Sequence, residues 1–153
     1  MDAGGVTISG LTPSAKSLHV AAAAHSLFGG VVLYVVARDG DLDTTVEDVR
    51  ACNALVLGTP ENFGYMAGAI KDFFERIYYP LLEETPGLPY GVFVKASTDG
   101  DGAVRSVERI VAGLRWKLVM PPVVVVGDLG SSDLELCQEL GATLAAGLEA
   151  GMF

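Results

Sequence analysis

Positive charge is scarce in this sequence. The 153 residues include 10 lysines and arginines against 19 aspartates and glutamates, which gives a formal net charge of −9 at pH 7. A chain of that charge is repelled by nucleic-acid phosphates and by anionic lipid headgroups. We therefore expect neither nucleic acid nor a membrane surface as a partner, whereas basic or neutral partners remain open.

Cysteine and histidine are also scarce, which bears on disulfides and metals. Cys52 and Cys137 form no C-x-x-C motif, so we expect a reducing compartment with both thiols packed in the core. His19 and His25 are six residues apart and do not share a helix face as an i, i+4 ligand pair does. Residues 39–43 start like a calcium loop but lack its later glycine and glutamate. We predict no metal site.

Targeting and membrane-spanning segments are not expected either. The N-terminal residues lack the basic and apolar regions of a secretory signal, which predicts a cytoplasmic protein. Residues 17–37 carry no formal charge and are long enough to cross a bilayer. However, Gly29 and Gly30 separate an alanine-rich half from a β-branched half, and that change predicts helix, turn and strand.

The sequence does contain a regular alternation of strand and helix patterns. Half of the residues are hydrophobic, enough for one core, so residues 1–153 are predicted to form a single domain. The strand patterns are unbroken apolar runs, typical of strands buried on both faces. The predicted strands are Val6–Ser9, Val31–Ala37, Ala54–Leu57, Gly91–Lys95 and Val123–Val126. The predicted helices are residues 14–28, 45–52, 65–79, 103–117 and 132–149.

Five buried strands that alternate with five helices predict an α/β, three-layer, doubly wound fold with a parallel sheet. Capping-box patterns at Thr44-x-x-Glu47 and Ser132-x-x-Glu135 predict two of the helix starts. In this class, ligands bind beyond the carboxyl ends of the strands, where the strand order reverses. The loops after the first, third and fourth strands are therefore the candidate site.

The segment after the first strand is rich in hydroxyl groups and leads into a helix. A helix start offers unpaired N–H groups and a positive dipole end to an anion. The segment lacks G-K-[ST] and G-x-G-x-x-G motifs, and its hydroxyls are equally suited to plain N-caps. The candidate phosphate-binding residues are Ser9, Thr12, Ser14, Lys16 and Ser17.

The segment after the third strand, residues 58–68, has three glycines, an asparagine and two aromatic residues. Backbone amides beside apolar faces are typical of a small-molecule pocket, and an ordinary strand-to-helix connection is the alternative. Residues 97–102, after the fourth strand, form a polar loop suited to a lid. No G-x-S-x-G motif supports a hydrolase. The third strand ends in Thr59-Pro60 rather than aspartate, which excludes a phosphoacceptor domain.

The segment ALVLGTPENFGYMAGAIKDFFERIYYP, residues 54–80, resembles the third strand and following helix of flavodoxin-like, NAD(P)H-dependent FMN reductases. The pattern G-T-P-x-x-F-G-x-M followed by K-x-F-x-[DE]-R carries the resemblance, which continues more loosely through residues 89–127 and the last helix. It implies a flavodoxin-like fold, a five-stranded parallel sheet of order 2-1-3-4-5, with FMN between strands one and three.

The resemblance also implies the residues of the flavin site. The ring is expected against the loop after the third strand, with residues 97–102 closing over it. The implied cofactor-binding residues are Thr59, Pro60, Glu61, Asn62, Phe63, Gly64, Met66, Ser97, Asp99 and Gly100. Asn62 and the amides of Phe63 and Gly64 are expected to tune the ring. Tyr65 or Tyr90 is expected to line the acceptor pocket.

The implied function is an oxidoreductase in which NADPH or NADH reduces bound FMN and a quinone or similar small acceptor takes the electrons. Because the cofactor carries the chemistry, no charged acid–base pair is required. Two alternatives remain, a flavodoxin-type electron carrier and a flavodoxin-like module that has lost FMN. The module without FMN remains an alternative because the segment after the first strand departs from the family pattern T-x-T-G-N-T.

Proteins of this kind are often homodimers, and residues 77–82 are an apolar, aromatic stretch that is either a contact between copies or a buried helix end. The single tryptophan, Trp116, is expected in the core or an interface rather than stacked on the flavin.

Overall fold

A computed structural model describes residues 45–153 in full and, before them, the backbone of two strands, residues 7–9 and 32–36. The strands are β1 Thr7–Ser9, β2 Val32–Val36, β3 Ala54–Asn62, β4 Tyr65–Met66, β5 Pro89–Ala96, β6 Lys117–Leu118 and β7 Val123–Val126. The helices are α1 Val46–Ala51, α2 Gly68–Leu81, α3 Asp101–Leu114 and α4 Ser131–Glu149. The predicted helix over residues 14–28 lies outside the described residues, as do His19, His25 and the segment 39–43.

The sheet is parallel apart from β4, and β3 lies near its centre. One side of β3 pairs with β2, and the other side pairs with β5. β1 pairs with β2, while β6 and β7 pair with successive parts of β5. The short β4 runs antiparallel to the end of β3. The α/β doubly wound fold class predicted from the sequence is confirmed.

The predicted strand order 2-1-3-4-5 is wrong for the first two strands. β2, not β1, is the neighbour of β3, and β1 is at the sheet edge. Both strands are short, apolar and parallel, so the hydrophobic pattern cannot say which one lies beside β3. β2 offers five residues to the ladder and β1 offers three, so the observed order forms more hydrogen bonds with β3. The carboxyl end of β1 is therefore two strand spacings, about 10 Å, from β3.

The two faces of the sheet build two separate cores. Leu55 and Leu57 of β3 pack with α1, α2 and α3 on one face. Ala54 and Val56 pack instead with β7 and the buried side of α4 on the other face. Because successive side chains of a strand point to opposite faces, strands covered by helices on both sides must be apolar throughout. That is why their sequences show no polar alternation.

Helix α2 has the predicted amphipathic pattern. Ion pairs Lys71–Glu75 and Asp72–Arg76 lie along its outer side, where they add a few tenths of a kcal/mol each. The helix begins at Gly68, rather than at residue 65 as predicted, because Tyr65 and Met66 form β4. Its buried residues are Ile70, Phe73, Phe74, Ile77 and Leu81.

Both predicted capping boxes are displaced along the chain. Helix α1 starts with Thr45 and Asp48, whose side chains exchange hydrogen bonds with each other's backbone N–H. The N-cap residue of helix α4 is Gly130, which has no side chain. The one capping hydrogen bond is therefore that from the Gly130 N–H to the Asp133 carboxylate. Each helix thus begins within two residues of the predicted cap.

Both cysteines are buried and unpaired, as predicted. Burial raises the pKa of the Cys52 thiol to about 12 and also raises that of Cys137. Within the described ranges, no helix combines the length and apolar character needed to span a bilayer.

Candidate functional site

Beyond Leu57, β3 continues to Asn62 and turns back as a hairpin where the sequence predicts a loop. Glu61 pairs with Met66, and Asn62 pairs with Tyr65. The two turn residues, Phe63 and Gly64, have φ values of 55° and 68°, which is the signature of a type I′ turn. Asparagine-glycine is the usual pair at these positions. The sequence pattern does not predict the hairpin because phenylalanine takes the place of asparagine.

Two buried hydroxyl groups hold the base of this hairpin. Thr59 Oγ1 accepts a hydrogen bond from the Ala67 N–H at 2.9 Å. Ser106 Oγ of α3 accepts one from the Met66 N–H at 3.1 Å and donates to the Ala103 carbonyl. Met66 is itself buried. The Thr59 and Met66 side chains, expected to contact the cofactor, therefore lie beneath the hairpin. Sequence analysis missed Ser106 because it lies 40 residues from Met66.

The Glu61 carboxylate, also expected at the cofactor, binds the start of α3. One oxygen accepts hydrogen bonds from the N–H groups of Gly102 and Ala103 at 3.0 and 3.3 Å. The other accepts from Thr98 Oγ1 at 3.0 Å and from the Gly100 N–H at 3.2 Å. A carboxylate at this position is stabilised by the unpaired amides and the positive end of the helix dipole. Glu61 therefore joins the hairpin to the loop after β5.

The loop after β5 is shaped by two glycines. Gly100 is buried with φ 77°, and a Cβ there would lie 2.6 Å from Val124 Cγ1. A Cβ on Gly102 would clash with the Gly64 carbonyl, so the hairpin tip rests directly on the start of α3. The Asp99 carboxylate accepts a hydrogen bond from the Asp101 N–H at 3.0 Å, which tightens the turn.

The groups that remain open to a ligand lie on these two adjacent loops. Asn62 and Phe63 are exposed on the hairpin, and Ser97 and Asp99 are exposed after β5. The N–H groups of Phe63 and Gly64 donate to no described residue. Pro60 is half-buried. An aromatic face, an amide, a hydroxyl and two backbone donors suit a planar heteroaromatic ring.

Of the predicted phosphate-binding residues, Ser9 is the one within the described part of the chain. Ser9 is the last residue of β1 and pairs with Val35 of β2. Its position is therefore two strands from the hairpin strand β3. The other candidates, Thr12, Ser14, Lys16 and Ser17, lie outside the described residues.

Of the two tyrosines expected at the acceptor pocket, only Tyr65 lies at an open surface. It lines a groove of about 390 Å³ together with Gly102, Arg105, Ser106 and Arg109. Tyr90 is 3% exposed, so of the two alternatives Tyr65 is the one at the surface. Burial raises the pKa of its hydroxyl to about 12.

Trp116 is in the core, as predicted. Its ring packs 6.3 Å, centroid to centroid, from Tyr90 and from Phe74, and its Nε1–H donates to Thr85 Oγ1 at 2.9 Å. The stretch 77–82 divides between the two expected roles, because Ile77 and Leu81 are buried whereas Tyr79 is 82% exposed. The homodimer stays a prediction. Among the described residues, no three His, Cys, Asp or Glu side chains lie close enough to hold a metal ion.

Comparison with solved structures gives this architecture a name. A WrbA-like flavodoxin from Agrobacterium tumefaciens superposes with a TM-score of 0.69 at 18% identity, over 95% of each chain. A flavodoxin from the domain Archaea gives 0.71 at 13% identity, over 94% of this chain and 96% of that one. The fold is flavodoxin-like.

A third flavodoxin-like match is the Megasphaera elsdenii flavodoxin, with a TM-score of 0.66 at 19% identity, over 93% of this chain and 99% of that one. No family model and no curated protein matches the sequence. The flavodoxin-like fold places the hairpin and the loop after β5 at the carboxyl ends of adjacent parallel strands, which is where this class of fold binds its ligands.

Proposed function

We propose that this chain is an FMN-binding oxidoreductase that uses NADPH or NADH to reduce a quinone or similar small acceptor. One observation carries the proposal. An exposed phenylalanine, Phe63, is held at positive φ at the tip of the hairpin, beside the exposed Asn62 and next to the loop after β5. Backbone in a sparsely populated region often marks a ligand site, and an exposed aromatic ring gains free energy when a planar ligand covers it.

The residues present suit the ring of FMN. Phe63 offers an apolar face, while Asn62, Ser97 and the N–H groups of Phe63 and Gly64 offer hydrogen-bonding groups for the polar edge of the ring. When bound, the flavin would supply the electron-transfer chemistry. The chain's own residues would bind the ring, orient it and exclude water from one face. The segment that follows Ser9 would bind the phosphate group of FMN.

We place the acceptor in the open groove beside Tyr65. It adjoins the hairpin and is lined by the Arg105 and Arg109 side chains. The electron carrier is the second candidate, and it is favoured by the net charge of −9, which would steer the protein to basic redox partners.

The test is a visible absorption spectrum of the purified protein after incubation with FMN and desalting, followed by anaerobic addition of NADPH and, separately, of NADH. We expect retained flavin bands that one of the two nucleotides bleaches. Retained flavin that only dithionite reduces would favour the carrier. Protein that retains no flavin would contradict both and favour a module without FMN.

A further inference from the structure

We propose that Glu61 is a positioning residue that fixes the two cofactor loops at their working separation. The inference deepens the proposed function and rests on it. The hairpin carries Asn62 and Phe63, immediately after Glu61, and the loop after β5 carries Ser97 and Asp99. The Glu61 side chain forms the hydrogen bonds that join the hairpin to the loop after β5.

The contact is unusually complete for one side chain. Each carboxylate oxygen accepts two hydrogen bonds, and the four donors are Thr98 Oγ1 and the N–H groups of Gly100, Gly102 and Ala103. All four donors come from the loop after β5 and the first turn of α3, 37 to 42 residues from Glu61. Hydrogen bonds to an ionised acceptor are about twice as strong as neutral ones.

At the start of α3, Asp99 accepts a hydrogen bond, among the described residues, only from the Asp101 N–H, and the N–H groups of Gly100, Gly102 and Ala103 donate to Glu61. Its N-cap residue is Gly100, which has no side chain. Glu61 therefore supplies from β3 the acceptor that a serine or aspartate usually supplies from within the helix itself. The helix start and the hairpin are stabilised together, so a change at Glu61 affects both loops.

Only one other described side-chain hydrogen bond ties the hairpin to α3. It runs from the Met66 N–H to Ser106 Oγ, at the base of the hairpin. The tip, with Asn62 and Phe63, is held against α3 by Glu61 and by the close approach of Gly64 to Gly102. Without the carboxylate, the base stays anchored while the tip is free to move away from the loop after β5.

The experiment compares Glu61→Ala and Glu61→Gln with the wild type in FMN titrations. We expect Glu61→Ala to raise the Kd for FMN by about tenfold or more, which corresponds to the loss of one or more charge-assisted hydrogen bonds. The Kd of Glu61→Gln for FMN is expected to lie between those of the wild type and Glu61→Ala. Glutamine keeps one acceptor oxygen but places an NH₂ group against two donors. Formate, a carboxylate small enough for the emptied cradle, should restore FMN binding to Glu61→Ala, whereas chloride at equal ionic strength should not.

Thr45→Ala is the matched stability control. It removes the N-cap hydrogen bond of α1, whose partner is Asp48 and not a residue of either cofactor loop. Its Kd for FMN should equal that of the wild type. If Glu61→Ala loses thermal stability as Thr45→Ala does and binds FMN within twofold of the wild type, Glu61 is a helix cap only and the proposal is overturned.

Failure of the proposed function has a different signature. A wild-type protein that binds no FMN would refute that function, and amide hydrogen exchange would then decide the role of Glu61. We expect Glu61→Ala to speed exchange at Gly100, Gly102 and Ala103 and also at the hairpin residue Tyr65, with formate reversing all four. Faster exchange in α3 with an unchanged hairpin would overturn the positioning role.

Discussion

At the scale of single residues, Phe63 combines two properties that each cost free energy. Its ring is fully exposed, and its backbone occupies the left-handed region at φ 55°, which costs a non-glycine residue roughly 1 kcal/mol. Neither property stabilises the chain by itself. A bound ligand that packs on the ring would explain both the exposure of the ring and the positive φ.

This account predicts that Phe63→Asn stabilises the protein and weakens cofactor binding. Asparagine-glycine is the preferred pair for a type I′ turn, so the free energy of unfolding of the FMN-free protein should rise by about 0.5–1 kcal/mol and the melting temperature by about 1–4 °C. The Kd for FMN should rise because the ring is gone. Differential scanning calorimetry and FMN titration measure the two effects.

Phe63→Ala separates the two causes. It removes the ring but has no preference for positive φ, so it should weaken FMN binding without raising the melting temperature. An unchanged Kd for FMN in both variants would show that the ring does not touch the flavin.

At the scale of elements, the approach of α4 to the sheet depends on a glycine of β5, Gly91. A Cβ on Gly91 would clash with Leu140 Cδ1 of α4, and one on Gly58 would clash with the ring of Phe93. The sequence pattern predicts the strand and the helix but does not say that they meet at Gly91. That close approach follows from which face of α4 is buried.

Gly91→Ala is therefore expected to destabilise the protein. Leu140 is fully buried, so it has no open space to move into, and overpacking of this kind costs about 1–3 kcal/mol. Urea denaturation followed by circular dichroism measures the change in the free energy of unfolding. Gly68→Ala is the control, because it lies at the start of α2 with no atom near the added methyl group. It should be neutral or slightly stabilising, and equal losses in both variants would contradict the packing argument.

At the scale of the whole molecule, stability at high pH is limited by buried acids that must stay protonated. The pKa values of Cys52 and Tyr90 are raised by burial from 9.0 and 10.0 to about 12 each. The unfolded chain therefore loses these protons first as the pH rises. A state that releases protons is favoured by rising pH, so the folded state loses stability between about pH 9 and pH 12.

We predict a steadily lower urea midpoint from pH 9 to pH 11. Each group contributes at most about 1.4 kcal/mol per pH unit. Tyr90→Phe should flatten the decline above pH 10, whereas the same change at the exposed Tyr79 should leave it as it is. A midpoint that does not fall between pH 9 and pH 11 would contradict the prediction.

The local sequence pattern is sufficient to predict the fold class, all described helices, all described strands except β4 and β6, and the burial of Cys52, Cys137 and Trp116. These features depend on local hydrophobic pattern and residue type, which the linear chain carries directly. It also located the two candidate loops, since parallel strands bring their carboxyl ends to one edge of the sheet.

The folded structure alone shows which strand lies beside β3, that Tyr90 is buried, and that residues 59–66 form a hairpin. It also shows that the Glu61 carboxylate binds the start of α3, while its expected contact with the cofactor stays a prediction. Strand order depends on pairing between segments with equivalent patterns, and the Glu61 contact joins residues about 40 positions apart. Both follow from the neighbouring positions of β3 and β5, which no local pattern specifies.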